Sequence, residues 1–144
     1  MDQSEYLQSR VDTQINWMEE KSKYNQQQYK LLKATELIAA AAIPFLAGFH
    51  RENDLFPIIT GILGVLIVAM NGLQQLYKYH ENWLNYRGTI EELTREKFLF
   101  ESATEPYNDP EAFHRFVQNI EAVLTNENRK WKANWMQKPE QKKT

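Results

Sequence analysis

The chain contains two apolar stretches separated by a short polar connection. Residues 55–77 read LFPIITGILGVLIVAMNGLQQLY, 23 residues without a formal charge, and about 20 such residues span the hydrocarbon core of a bilayer. Asn53 and Asp54 directly before this stretch, and Pro57 in its first turn, are typical of a helix start. The pattern predicts a transmembrane helix over residues 55–77.

The first apolar stretch, over residues 31–49, is interrupted by charge. Only residues 37–49 lack charged and histidine side chains, which is too short to span, so the span has to begin near Leu31 and include Lys33 and Glu36. Lys33 is long enough to reach the interface. Glu36 needs a partner, which is Lys33, a neighbouring helix or water. Because Pro44 removes one backbone hydrogen bond, we expect a kink there.

Residues 50–54 are long enough only to connect two antiparallel helices, so the two stretches predict a transmembrane hairpin with an extracytoplasmic loop. Lysine and arginine precede and follow the hairpin, whereas the loop holds one arginine against two acids. The positive-inside rule therefore places both termini in the cytoplasm. Small residues in both spans favour close helix packing in lipid. The alternative is a soluble helical bundle that buries the hairpin in its core.

Outside the hairpin, apolar residues recur at spacings of three and four, which predicts amphipathic helices. The last of them starts at Asp109 and Pro110, a capping residue followed by proline, and its apolar stripe requires packing back onto the others. The predicted cytoplasmic segments are helices over residues 1–30, 78–104 and 109–135 and a polar tail over residues 136–144. The predicted fold class is an all-α membrane protein, a two-transmembrane hairpin with long cytoplasmic helical extensions that assembles as a symmetric homo-oligomer.

Composition excludes several classes of function. There are 17 basic and 19 acidic residues, a net charge of −2, so no polycationic surface favours non-specific nucleic-acid binding. The absence of cysteine excludes disulfides and thiolate metal sites. His50, His80 and His114 have no metal-ligand spacing, and the chain has no phosphate loop or nucleophile elbow. The sequence predicts no enzyme, with no catalytic residue, no metal and no cofactor.

A pore requires several copies of the chain, because one hairpin cannot enclose water. One face of the second span becomes polar toward the cytoplasm, and Glu36 of the first span would add a carboxylate that favours cations. The candidate pore-lining residues are Gly64, Val68, Asn71, Gln75, Lys78 and Glu36. The alternative is that Asn71 and Gln75 bond between packed helices and that Glu36 pairs locally with Lys33.

Aromatic and basic residues alternate in two places, residues 77–87 and 129–135. Nucleobases stack on aromatic rings while phosphates attract cations. The candidate ligand-binding residues are Arg87, Arg129, Lys130, Trp131, Lys132 and Trp135. The alternatives are an interfacial aromatic belt for the first place and a continued apolar stripe for the two tryptophans of the second.

Four segments carry a family resemblance: RVDTQINWMEEKS, QQQYKLLKATELIAAAAIP, YRGTIEELTREKFLFES and EPYNDPEAFHRFVQNIEAVLTNENRKW. Through them nearly the whole chain resembles the SLATT family, the SMODS- and SLOG-associating two-transmembrane effectors of prokaryotic conflict systems. The resemblance implies an oligomeric effector of anti-phage defence in the inner (plasma) membrane. It also implies a pore or channel that responds to a nucleotide or oligonucleotide made by a partner nucleotidyltransferase.

The first functional hypothesis is thus a pore- or channel-forming effector that contacts membrane lipid and other copies of itself, gated through its cytoplasmic helices by a nucleotide-type ligand. The second is a non-conducting membrane adaptor that scaffolds a partner enzyme. The third is the soluble helical bundle.

Overall fold

The computed structural model describes residues 1–49 and 54–136, with the backbone alone for residues 134–136. Every element in this part of the chain is helical, which confirms the all-α class. The elements are α1 (Gln3–Tyr6), a π-helical segment (Leu7–Asp12), α2 (Thr13–Ala47), α3 (Leu55–Tyr77), α4 (Tyr79–Glu101) and α5 (Ala112–Met136). Residues 50–53 of the predicted loop, the predicted tail beyond Met136 and the side chain of Trp135 lie outside the described residues.

The helices form two compact units. The first unit, the terminal bundle, consists of Met1–Ser22 and Leu84–Thr144, and the second, the hairpin unit, consists of Lys23–Trp83. Helices α2 and α4 each contribute residues to both units.

The N-terminal helical path differs from the plain amphipathic helix that the spacing predicts. The Asp2 carboxylate caps its start by accepting a hydrogen bond from the backbone N–H of Gln3 at 2.7 Å. Residues Leu7–Asp12 are then π-helical, and the Thr13 hydroxyl donates to the carbonyl of Gln8, five residues earlier, at 3.1 Å. π-helical turns are rare in proteins, and those that do occur are often found at functional sites.

Lys78 separates α3 from α4 by adopting the left-handed conformation, with φ 50° and ψ 42°. Its N–H donates to the carbonyl of Gln74, and its carbonyl accepts from the N–H of Asn82, both at 2.9 Å. The Asn82 side-chain amide donates to the carbonyl of Tyr77 at 3.1 Å. Because a left-handed backbone costs a non-glycine residue roughly 1–2 kcal/mol, these bonds offset the cost of the break.

The termini of two helices also depart from the predicted ones. Helix α4 ends at Glu101 rather than near Thr104, and α5 begins at Ala112 rather than Asp109. Asp109 instead holds the preceding turn, where its carboxylate accepts from the N–H of Glu111 at 3.0 Å and pairs with Arg115 at 2.8 Å.

The terminal bundle has an ordinary apolar core. Val11, Leu93, Phe116 and Ile120 are fully buried. Phe116 stacks on Phe100 with ring centroids 4.3 Å apart. Its ring also meets the edge of Tyr6 at 6.3 Å and of Tyr107 at 5.7 Å. Helix α5 therefore packs on the N-terminal segment and on α4.

The hairpin unit has apolar residues on its surface. Val68, Ile38 and Val65 are 73%, 71% and 70% exposed, whereas Ala39 and Met70 are buried. Among the described residues, the helical stretch Leu55–Glu101 is long and apolar enough to cross a membrane, with mean hydropathy 2.1 in its most apolar part, of which 6% is buried.

Candidate functional site

A carboxylate–amide cluster lies within the hairpin unit, where both predicted spans meet. The Glu36 carboxylate accepts hydrogen bonds from the side-chain amide of Asn71 at 3.0 Å and from that of Gln74 at 3.3 Å. It also forms an ion pair with Lys33, three residues earlier, at 3.3 Å. Asn71 additionally donates to the carbonyl of Ile67 at 3.3 Å. We call these four side chains, Lys33, Glu36, Asn71 and Gln74, the Glu36 cluster.

Helical spacing explains why these residues meet. The less exposed positions of α2 and α3 recur at intervals of three and four, as in a packed seam. Glu36 precedes the buried Ala39 by three positions, and Asn71 follows the buried Met70. The side chain of Glu36 is 14% exposed, against 42% for Lys33. The seam between two apolar helices thus holds one carboxylate with three polar partners.

The predicted pore-lining residues do not share one environment. Gly64, Asn71 and Lys78 are half-buried, while Val68 and Gln75 are exposed. The predicted pore-lining face of α3 therefore includes both residues that point toward α2 and residues that point away from it, because the residues of one helical face span a wide arc. Both partners foreseen for Glu36, a local lysine and a neighbouring helix, are present together.

Sequence reasoning predicted Asn71 and Gln75 as the amides that bond between helices and placed Gln74 only at the edge of that face, whereas in the structure Gln74 donates to Glu36. Around α3, position 74 lies about 60° to one side of Asn71 and position 75 about 40° to the other side, and Gln74 is half-buried whereas Gln75 is exposed. Spacing from Asn71 alone does not choose between the two glutamines, because i+3 and i+4 positions are both its neighbours; the choice depends on which side of α3 meets α2.

A second candidate site is an open pocket of about 310 Å³ in the terminal bundle. The N-terminal segment contributes Arg10, Thr13, Gln14 and Trp17, at spacings of three and four. Helix α5 contributes Glu127 and Asn128. We call this the Trp17 pocket, and its floor is the apolar pair Met18 and Leu124.

Rings and charges around the Trp17 pocket are held by defined contacts. Trp17 is 45% exposed, and its ring meets the edge of Tyr86 at 5.9 Å. The Lys21 ammonium lies 5.8 Å from the centre of the Trp17 ring. Arg10 forms two hydrogen bonds of 3.0 Å with the Glu121 carboxylate.

Two glutamates in the terminal bundle have pKa values shifted in opposite directions. The hydrogen bond from Arg10 lowers the pKa of Glu121, and the hydrogen bond from Tyr6 adds to this effect. Burial raises the pKa of Glu127, against the opposing charge of Lys130. Burial, followed by the bond to Glu121, raises the pKa of Tyr6 to about 12. Glu121 is thus a structural anion, whereas Glu127 is a desolvated carboxylate at the pocket.

The predicted ligand-binding residues whose side chains the structure describes are not among those that line the Trp17 pocket. The side chains of Arg129, Lys130 and Lys132 are exposed, and Trp131 is 46% exposed. Arg87 forms an exposed ion pair with Glu91 at 3.7 Å. Of these side chains, Lys130 is the one whose charge acts on a residue that lines the pocket, Glu127. Sequence reasoning overlooked a signal for this pocket, since polar and aromatic residues recur at helical spacing beside the buried Val11 and Met18. These residues are Arg10, Thr13, Gln14 and Trp17.

Aromatic residues of the hairpin unit gather around the junction between α3 and α4. Tyr77 and Tyr79 stack with ring centroids 5.5 Å apart, and Tyr24 meets Tyr79 at 6.4 Å. Tyr29 lies 4.7 Å from His80, whose ring is 5.8 Å from Trp83. Amphipathic rings at the end of an apolar helix are typical of a membrane interface. In the described parts of the chain no group of three potential metal ligands occurs.

Comparison with known proteins places the chain in one family. No curated protein and no solved structure matches it. The family model described as "Protein of unknown function (DUF4231)" matches residues 13–114, which include both predicted spans and Glu36, Asn71, Gln74 and Trp17. Because that match covers more than half of this chain, the chain belongs to the DUF4231 family.

Proposed function

We propose that this protein is an oligomeric, pore- or channel-forming membrane effector of a prokaryotic defence system, gated through its cytoplasmic helices by a nucleotide-type or oligonucleotide signal. In this proposal it acts without a catalytic residue of its own. In this proposal residues 31–49 and 55–77 cross the inner membrane, both termini are cytoplasmic, and a partner nucleotidyltransferase supplies the signal. The resemblance to SLATT effectors supports the assignment to defence and to nucleotide signalling.

Exposure of the apolar side chains supports the membrane location. A soluble monomer rarely exposes a contiguous apolar patch of more than a few hundred Å². Here the most apolar part of the Leu55–Glu101 stretch is 6% buried, whereas the core helix of a soluble protein would be mostly buried. Lipid is the solvent that favours this surface, and the aromatic residues at the end of α3 suit its boundary.

The Glu36 cluster is the observation that carries the pore proposal. A carboxylate within a predicted span is costly and is usually retained for function. Glu36 lies at the seam rather than on the lipid-exposed side, with the amides of Asn71 and Gln74 orienting it. Repeated around a symmetric oligomer, such a carboxylate would favour cations in a water-filled path.

Open space beside the glycines of α3 supports assembly of several copies. A Cβ atom added at Gly61, Gly64 or Gly72 would meet no atom within 4 Å, so packing within one copy does not require glycine there. Small residues in membrane helices permit close approach of a neighbouring helix. A second copy is the neighbour that oligomerisation would bring.

Ion flux through liposomes tests the proposal. The purified chain is reconstituted, its oligomeric state is checked by cross-linking, and cation and anion fluxes are measured with and without mononucleotides and cyclic dinucleotides. We expect a ligand-dependent, cation-selective flux whose cation preference falls in a Glu36→Gln variant. Glu92→Gln, an exposed acid of α4, is the matched control and should leave the flux unchanged. Folded oligomers that stay silent under all these ligands would contradict the proposal.

The second candidate function is a non-conducting membrane adaptor that scaffolds a partner enzyme. The bond between Asn71 and Glu36 favours it, because a polar pair that is satisfied within one hairpin serves packing without any pore. An Asn71→Leu, Gln75→Leu double variant separates the two functions. Altered flux in an oligomer that remains intact supports the pore, whereas unchanged partner recruitment together with no flux in either protein supports the adaptor. Extraction of the chain without detergent would favour the soluble bundle instead.

A further inference from the structure

The Trp17 pocket combines an aromatic face with a desolvated carboxylate. Trp17 presents 45% of its surface, and aromatic faces stack nucleobases with little regard to sequence. Glu127 lies in α5 on the other wall of the pocket, and within the described residues it forms no ion pair within 4 Å. Burial raises its pKa, so a donor that meets this carboxylate recovers a desolvation cost.

The hydrogen-bonding groups that line the Trp17 pocket favour some planar bases over others. A carboxylate accepts two parallel hydrogen bonds from adjacent N–H groups. Guanine presents N1–H and N2–H₂ on one edge, whereas adenine presents an acceptor nitrogen beside its amino group. The carboxamides of Gln14 and Asn128 both donate and accept, which suits the remaining atoms of a purine.

Cations at the edge of the pocket suit a phosphate. The bonds to Glu121 use two of the five N–H donors of Arg10, so three remain. The Lys21 ammonium lies over the Trp17 ring, 5.8 Å from its centre, and adds positive charge beside the pocket. Arg10 belongs to the π-helical segment Leu7–Asp12, a type of irregularity that is frequent at functional sites.

We propose that the Trp17 pocket binds one guanine nucleotide unit, with the base stacked on Trp17, its N1–H and N2–H₂ edge bonded to Glu127, and its phosphate at Arg10. The pocket volume of about 310 Å³ lies at the lower end of small-molecule sites, which suits one nucleotide rather than a longer chain. This inference rests on the proposed function for its role, since it names the ligand class and the site of the gating signal.

Equilibrium dialysis of the full chain in detergent, with 5′-GMP and 5′-AMP as probes, tests the site without any measurement of flux. We expect GMP to bind more tightly than AMP. Glu127→Gln should weaken GMP binding by roughly tenfold, because one acceptor oxygen is replaced by a donor. It should not weaken AMP binding, because the carboxamide can donate to the ring nitrogen of adenine and accept from its amino group. Trp17→Leu should weaken both ligands by roughly tenfold. Glu92→Gln is the matched control for the loss of charge.

The outcomes separate this inference from the proposed function. Equal binding of GMP and AMP, no binding by the folded parent, or unchanged preference in Glu127→Gln would overturn the Trp17 pocket. A loss of binding in Trp131→Leu but not in Trp17→Leu would move the site to the predicted cluster at residues 129–135. Because Trp17→Leu also removes the ring contact with Tyr86, the size-conserving Glu127→Gln variant decides. GMP binding without flux would leave the pocket standing and count against the pore.

Discussion

The terminal bundle and the hairpin unit distribute polarity in opposite ways. In the terminal bundle Val11, Leu93 and Phe116 are fully buried, and the ion pairs Arg10–Glu121 and Arg115–Asp109 lie at its partly exposed surface. In the hairpin unit the aliphatic Val68, Ile38 and Val65 are exposed, whereas the carboxylate of Glu36 is 14% exposed and lies at the seam. The first unit has the distribution of a protein in water, and the second has the distribution expected in an apolar solvent, in keeping with the proposed membrane location.

This comparison shows that the same helical spacing serves two environments. Apolar residues at intervals of three and four bury a core in the terminal bundle, because water drives them inward. In the proposed membrane location of the hairpin unit that drive would be absent, and small residues and polar bonds at the seam would associate the helices. The same kind of substitution should therefore change stability or membrane insertion by different amounts in the two units.

The largest expected effect is the loss of Phe116 from the terminal core. Its ring is fully buried and contacts Phe100, Tyr6 and Tyr107. Phe116→Ala should lower the free energy of unfolding by about 3–5 kcal/mol, measured by urea titration of the detergent-solubilised chain. Phe98→Ala, at a ring that is 64% exposed, is the matched control and should change it by less than about 0.5 kcal/mol. Equal costs would mean that the terminal bundle is not packed on Phe116.

The next effect tests the solvent of the hairpin unit. Val65 is 70% exposed near the middle of α3, so a lysine there is harmless in water but costs about 2.5–3.5 kcal/mol at the centre of a bilayer. Val65→Lys should reduce the carbonate-resistant membrane fraction, whereas Glu92→Lys on α4 should not. Unchanged membrane insertion of Val65→Lys would place that side chain in water or against a polar neighbour.

A smaller effect is expected at the seam of the hairpin unit. Asn71→Leu removes the 3.0 Å bond to Glu36 but leaves Gln74 and Lys33 as partners. Interhelical polar bonds in membranes are worth about 0.6 kcal/mol on average and up to about 1.7. We expect a loss within that range in thermal unfolding followed by circular dichroism. Gln75→Leu, at an exposed position of α3, should leave the stability in thermal unfolding unchanged. A larger loss of stability for Gln75→Leu than for Asn71→Leu would mean that Gln75, not Asn71, is the amide of the seam.

Local patterns allowed much of the helical architecture to be predicted. Helix α3 covers the same residues, 55–77, that the hydropathy pattern delimits, because Pro57 and the flanking polar residues mark its ends. Capping by Asp54 is an exception, since its side chain makes no capping hydrogen bond. The π-helical segment and the left-handed Lys78 carry no composition signal, because neither needs glycine or proline here.

The candidate sites were harder to predict, because their residues are distant in sequence. Glu36 and Asn71 are 35 positions apart, and Arg10 and Glu121 are 111 apart. Helical periodicity assigns each residue to a face but does not state which faces meet. For this reason the sequence identified Glu36 as needing a partner, whereas the Trp17 pocket, built from both ends of the chain, was not foreseen.

The smallest expected effect concerns the surface pair of the terminal bundle and its pH dependence. Arg10 lowers the pKa of Glu121 below its ordinary value of 4.5, so the ionised carboxylate stabilises the folded state. That stabilisation is fully present above pH 4.5 and is lost as the pH falls through the lowered pKa. Because the Arg10 and Glu121 side chains are 43% and 42% exposed, Glu121→Gln should cost less than about 1 kcal/mol at neutral pH. Urea titrations at pH 7 and at successively lower pH values should show the parent and the variant converging in acid. If the difference in the free energy of unfolding between the parent and the variant instead grows on acidification, Glu121 is stabilised in its protonated form. The contrast between an anion at the surface of the terminal bundle and one at the apolar seam would then no longer hold.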